Sequence, residues 1–141
     1  MKYILLFLSV IIFGSFRQPD SPVDLKIIVT NVKTLKGRIH MGIFDHRKNF
    51  LKKGKAYRSY SQKVTGDTVV FILKGLKKSN YAISLYHDVN SDSKCNLNFI
   101  GIPLEPYGFS KNFKPTYSKP DYDDCKISVQ KNSSTIIELI I

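Results

Sequence analysis

A succession of short β-type apolar runs, cut by turn signals, constrains this chain most. Residues 23–32 (VDLKIIVTNV) and 38–45 (RIHMGIFD) alternate apolar with polar side chains, and the second run puts Ile39, Met41 and Ile43 on one face. Residues 68–76 (TVVFILKGL), 81–88 (YAISLYHD), 125–130 (CKISVQ) and 134–141 (STIIELII) follow, and a further short strand is expected over residues 57–64. Val, Ile, Tyr and Phe fit a pleated, half-buried surface. Alternation with period two marks a strand with one face in a core. Gly37, the Gly66-Asp67 pair and the polar stretches 77–80 and 131–134 are the breaks. No convincing helical period follows the first twenty residues. About seven short strands at this spacing predict an all-β fold, a single antiparallel β-sandwich of immunoglobulin-like or transthyretin-like architecture. Residues 23–32 and 38–45 are expected to form a hairpin, and Ala82, Ser84 and Tyr86 to share a face.

The first residues read differently. Lys2 precedes an unbroken apolar run over residues 3–13, followed by small Gly14 and Ser15 and then by Arg17, Gln18, Pro19 and Asp20. That order is the order of a secretory signal peptide, and the run is shorter than the ~20 residues of a membrane span. The expected organisation is a signal peptide over 1–20 and a β-sandwich domain over 21–141. The protein is expected to be secreted or periplasmic, with no transmembrane span once the signal is removed.

In an exported protein an even number of cysteines permits a disulfide. A bridge between Cys95 and Cys125 would tie the two ends of a long connection and add roughly 3–4 kcal/mol. The alternative is a pair of unpaired thiols. The net charge of +11 raises nucleic acid or an anionic surface as a partner. The lysines are scattered, however, from Lys48, Lys52, Lys53 and Lys55 through Lys74, Lys77 and Lys78 to Lys111, Lys114 and Lys119. No basic helix or RNA-binding motif organises them. No nucleic-acid partner is expected, and the lysines read as a solvated surface that protects sheet edges.

The connection between residues 91 and 124 is the anomaly. Long loops inside compact domains are functional or disordered, and this one is too apolar and aromatic for disorder. Its approach carries Asp88, Asn90, Asp92 and Asn96 at alternating positions, the spacing by which a calcium loop supplies oxygen ligands. Ser93 stands where such a loop wants glycine, and Phe99 where it wants a bidentate glutamate. The other reading is a metal-free loop in which Asp and Asn cap their own backbone. Calcium is the only cofactor the pattern suggests. Tyr107 and Phe109, which flank the flexible Gly108 and follow the stiffening Pro103 and Pro106, form either a ligand surface or a plug over an end of the sandwich. His87 beside Asp88 is a candidate base. Neighbours in a strand point to opposite faces, however, and no activated nucleophile accompanies them.

The run YHDVNSDSKCNLNFIGIPLEPYGFSKN resembles a motif of a bacterial family of secreted proteins, domain-of-unknown-function family 2141. His87, Asp88, Asn90, Asp92, Lys94, Asn98, Phe99, Gly101, Pro103, Tyr107, Gly108, Phe109, Ser110 and Asn112 match its pattern, with Glu105 at the acidic position. Residues 119–125 (KPDYDDC) match a later part, with Tyr122 for Phe, and GRIHMGIFD is similar to an early segment. The resemblance implies a small exported β-sandwich and carries no activity with it. Ser93 replaces an expected Gly, Cys95 a Leu, Asn96 an Asp and Cys125 an Ala. The expected role is a non-enzymatic binding or structural module of the cell envelope, with an unknown envelope or extracellular partner. The alternative is a hydrolase-like enzyme using His87, Asp88 and the acids Asp121, Asp123 and Asp124.

Overall fold

The computed structural model describes residues 21–141, and the expected signal segment lies outside them. Eight strands form: β1 (Val23–Thr30), β2 (Arg38–Phe44), β3 (Arg58–Lys63), β4 (Val69–Leu76), β5 (Ser79–Asp88), β6 (Tyr107–Phe109), β7 (Ile127–Val129) and β8 (Ser133–Glu138). Seven fall on the expected runs. The eighth, β6, lies inside the long connection. A four-residue helix, α1 (Tyr122–Cys125), is too short to leave a period in the sequence.

The strands build a sandwich-like pair of sheets, one ordered β4-β1-β8 and the other β3-β2-β5-β6, with β7 pairing the start of β5. Alternation explains the core between them. Leu25, Ile27 and Val29 of β1, Ile39, Met41 and Ile43 of β2, and Tyr81, Ile83 and Leu85 of β5 all turn into it and are buried. Removing each such side chain from water contributes about 1.5–3 kcal/mol. The opposite face of β5 carries a second apolar cluster, in which Phe44, Phe50, Ala82, Phe109, Tyr122 and Cys125 meet. The strand is covered on both sides over its first half.

The expected hairpin does not form. β1 pairs β4 antiparallel and β8 in parallel, whereas β2 pairs β3 and β5. Residues 31–37 instead carry the chain from one sheet to the other, across the ~10 Å that separate packed sheets. Asn31 holds a left-handed turn there (φ 63°) and donates through Nδ2 to the Leu139 carbonyl at 2.8 Å. Gly37 ends the crossing at φ +70°. A Cβ there would lie 1.9 Å from the Asp88 carbonyl oxygen, so no larger residue fits.

The sheets are fastened at both corners. Tyr107 and Ile140 exchange two backbone hydrogen bonds, at 3.0 and 2.7 Å. Gly108 packs so close to β8 that a Cβ would meet Ile137 Cγ2 at 2.8 Å. At the other corner, Arg58 of β3 donates to the carbonyls of Lys74 and Gly75 on β4 at 2.8 and 3.1 Å.

Candidate functional site

The chain leaves β5 at Asp88, whose carboxylate is almost fully buried (1% exposed). Its Oδ1 accepts from Asp92 N at 3.1 Å and its Oδ2 from Ser93 N at 2.9 Å. His40 on β2, stacked on Tyr86 with centroids 5.2 Å apart, brings Nε2 to 3.4 Å from the same Oδ2. The next turns repeat the device. Asn90 Oδ1 accepts from Asp92 N at 3.1 Å, and Asp92 Oδ1 from Lys94 N at 2.8 Å. Asn96 Nδ2 and the Lys94 N–H beside it hold the Asp92 carboxyl below the usual carboxylate range. Glu105 closes the loop, its Oε1 accepting from Val89 N at 3.1 Å and its Oε2 from Asn96 N at 3.5 Å.

Asp88, Asn90, Asp92 and Asn96 are therefore brought together, as their spacing suggests. Ser93 supplies the left-handed turn (φ 60°) without the expected glycine. What does not assemble is a shell of free oxygens. Calcium takes six to eight, whereas both Asp88 oxygens are engaged by backbone N–H groups. Asn90 and Asn96 also turn their amide nitrogens, at 3.3 and 2.9 Å, towards Asp92 Oδ2. Among the described residues no group of three or more His, Cys, Asp or Glu side chains is placed to hold a metal. In this conformation the loop is closed by its own hydrogen bonds, with Asn90 and Asn96 donating to Asp92.

The hydrolase-like set does not assemble. His87 turns into the inter-sheet core, fully buried, with Nε2 2.6 Å from the Lys36 carbonyl oxygen. Asp88 turns to the other face of β5. α1 lies at the far end of that strand, where Tyr122 donates to the Asn80 carbonyl at 2.9 Å, about 26 Å of extended chain from Asp88. Its acids are committed locally. Asp121 and Asp124 form a reciprocal capping box, and Asp123 pairs with Arg47 and Lys126.

Of the two alternatives for the cysteines, the structure has the unpaired one: Cys95 and Cys125 are both free. Cys125 is carried by α1 into the second apolar cluster at the start of β5, whereas Cys95 is exposed on the loop beyond its end. Burial pushes the Cys125 thiol up to about 12.

Tyr107 and Phe109 stand on the outer face of β6, edge to face at 5.8 Å. Phe109 is buried in the second cluster and Tyr107 partly covers it. They help floor an open groove of about 1550 Å³ on the outer face of the five-stranded sheet, not a plug at the sandwich end. His40, Ser84 and Tyr86 continue the floor, and residues 51–54, 93–95, 97, 100–103 and 115–120 supply the walls. Arg47, Lys52, Lys53, Lys94 and Lys119 line it against a single acid, Asp121. Glu105, which latches the loop, lies outside the alternating run, and its place at the acidic position of the family's motif pointed to it.

Fold and groove together define a β-sandwich protein with a loop-walled groove, lined by more basic than acidic side chains, on one sheet. The chain belongs to domain-of-unknown-function family 2141, described as an uncharacterized protein conserved in bacteria, whose family model matches residues 27–137. No curated protein and no solved structure matches it.

Proposed function

We propose that this chain is an exported, non-enzymatic binding module of the bacterial envelope, secreted or periplasmic, whose groove takes an elongated anionic ligand with flat apolar faces. One observation carries the reading: a single open groove combines an aromatic floor with five cationic side chains and one acidic one. Flat rings offer apolar contact to planar or sugar-like faces, and clustered cations select negative charge and speed its encounter. The loop over residues 88–105 acts as a preformed wall, closed by its own hydrogen bonds, and such preorganisation lowers the ordering cost of binding. Export follows from the character of residues 1–20. Among the described residues no helix is long and apolar enough to cross a membrane.

Thermophoretic titration with oligogalacturonate, an acidic oligosaccharide, against a neutral oligosaccharide of equal length tests the groove. The acidic probe should bind in a salt-sensitive manner. The double substitution Lys52→Glu and Lys53→Glu should weaken it roughly tenfold, about 1.4 kcal/mol. Equal affinity for both probes, or no binding of the acidic one, refutes the reading.

A further inference from the structure

Between Lys94 and Glu105 the chain carries no charged residue. Leu97, Phe99, Ile100, Ile102 and Leu104 are nevertheless exposed, Phe99 almost completely (98%). An exposed apolar cluster of this kind marks an interaction site. It is not a floppy one. Leu97 bridges Pro103, Asn98 N donates to the Ile102 carbonyl at 2.8 Å, Gly101 N to the Asn98 carbonyl at 3.0 Å, and Leu104 N to the Asn96 carbonyl at 2.7 Å. Asn98 Oδ1 accepts from both Ile100 N and Ile102 N, at 3.0 and 2.9 Å. Pro103 has no N–H, so residues 98–104 carry six, and five of them (98, 100, 101, 102 and 104) are bonded within the tip.

We propose that this tip dips into the surface of an anionic lipid bilayer. Three observations favour lipid over other occupants. In hydrocarbon each unmet backbone polar group is costly, and the tip has met five of its six N–H groups and the carbonyls of Asn98 and Ile102 internally, which leaves its outermost carbonyls for the headgroup layer. Leu97, Ile100 and Ile102 of the tip and four exposed lysines (Lys52, Lys53, Lys94 and Lys119) line one groove, and apolar insertion beside cations is the pattern of attachment to anionic membranes. Finally, a turn of eight residues offers far less than the ~20–30 residues per side of a stable protein interface. The net charge of +11 also opposes a second copy as partner. The proposal shares the groove's lysines with the ligand proposed above but not its test, since emission from the tip reports lipid whether or not the groove takes an acidic oligosaccharide.

The chain has no tryptophan, so Phe99→Trp in the full chain places a lone reporter on the tip. A matched Ile72→Trp chain reports from the outer face of β4, where Ile72 is exposed. Vesicles of phosphatidylglycerol and phosphatidylethanolamine should blue-shift the Phe99→Trp emission, and brominated lipid should quench it. The shift should fall with salt, be absent with phosphatidylcholine, and vanish when Ile100→Asp and Leu104→Asp are added. Ile72→Trp should stay unchanged even if residues 3–13 tether the chain. Unchanged Phe99→Trp emission with phosphatidylglycerol overturns the proposal, as does an equal shift of both reporters. A shift that grows with protein concentration in the absence of lipid overturns it in favour of self-association.

Discussion

Replacing Asp88 by alanine should unlace the loop from its root. Hydrogen bonds to a charged acceptor contribute about 1.5–3 kcal/mol each, and Asp88 makes two, to Asp92 N and Ser93 N. Their sum overstates the loss. Asp92 and Ser93 are exposed, so their freed N–H groups reach water, and removing a buried carboxylate relieves its desolvation. A cost of roughly 2–3 kcal/mol remains, which in a domain of this size lowers Tm by about 6–15 °C. Calorimetry would measure the shift, and amide exchange would show lost protection at residues 92 and 93 while β1 and β4 keep theirs. Asp88→Asn, with one acceptor oxygen left, should fall between. A Tm within about 2 °C of the parent with protection unchanged would refute the claim that this carboxylate holds the loop.

Three further outcomes follow from the same geometry. Melting in calcium and in chelator should coincide, because a ligand raises Tm only by binding the folded state; a calcium-dependent rise abolished by Asp88→Ala and Asp92→Ala would make the loop a metal site instead. Alkylation of non-reduced protein followed by intact mass should give one adduct in the native state, at Cys95, and two after unfolding, because the Cys125 thiol is buried and raised to about 12; a single mass loss of two hydrogens with no adduct would show a bridge. Gly37→Ala should cost more than about 3 kcal/mol or prevent folding, since its Cβ would lie 1.9 Å from the Asp88 carbonyl oxygen at φ +70°, and a melt within a degree or two of the parent would contradict the crossing geometry.

Strands were legible where one physical demand dominates. β2 needs Ile39, Met41 and Ile43 in a core, so it alternates, and β4 and β8 announce themselves through β-branched side chains. Partners were not legible. Alternation says which face is apolar and nothing about which strand lies alongside, so β1 and β2 were joined as a hairpin although they belong to different sheets. On β5, Ala82, Ser84 and Tyr86 share a face as expected, but alternation does not say what covers it: the loops after β2 and β6 bring Phe50 and Tyr122 over Ala82. In the loop, the spacing of Asp and Asn correctly located a cluster, but such spacing serves backbone N–H groups as readily as a cation. Large apolar side chains ordinarily pack. Phe99 and Leu104 stay exposed because Asn98 turns the chain back before it reaches the sheets.

The two fastened corners have a consequence for how this protein meets other chains. A sandwich usually leaves four strand edges open to templating by any extended peptide. Here the Tyr107–Ile140 exchange occupies the rim between β6 and β8, and the Arg58 guanidinium sits across the rim between β3 and β4. The fold behaves less like two stacked plates than like a sleeve sewn along one seam and pinned along the other. The sewn seam depends on the backbone of Ile140. Peeling that residue away would therefore open an edge, and that edge would be the starting point for misassembly.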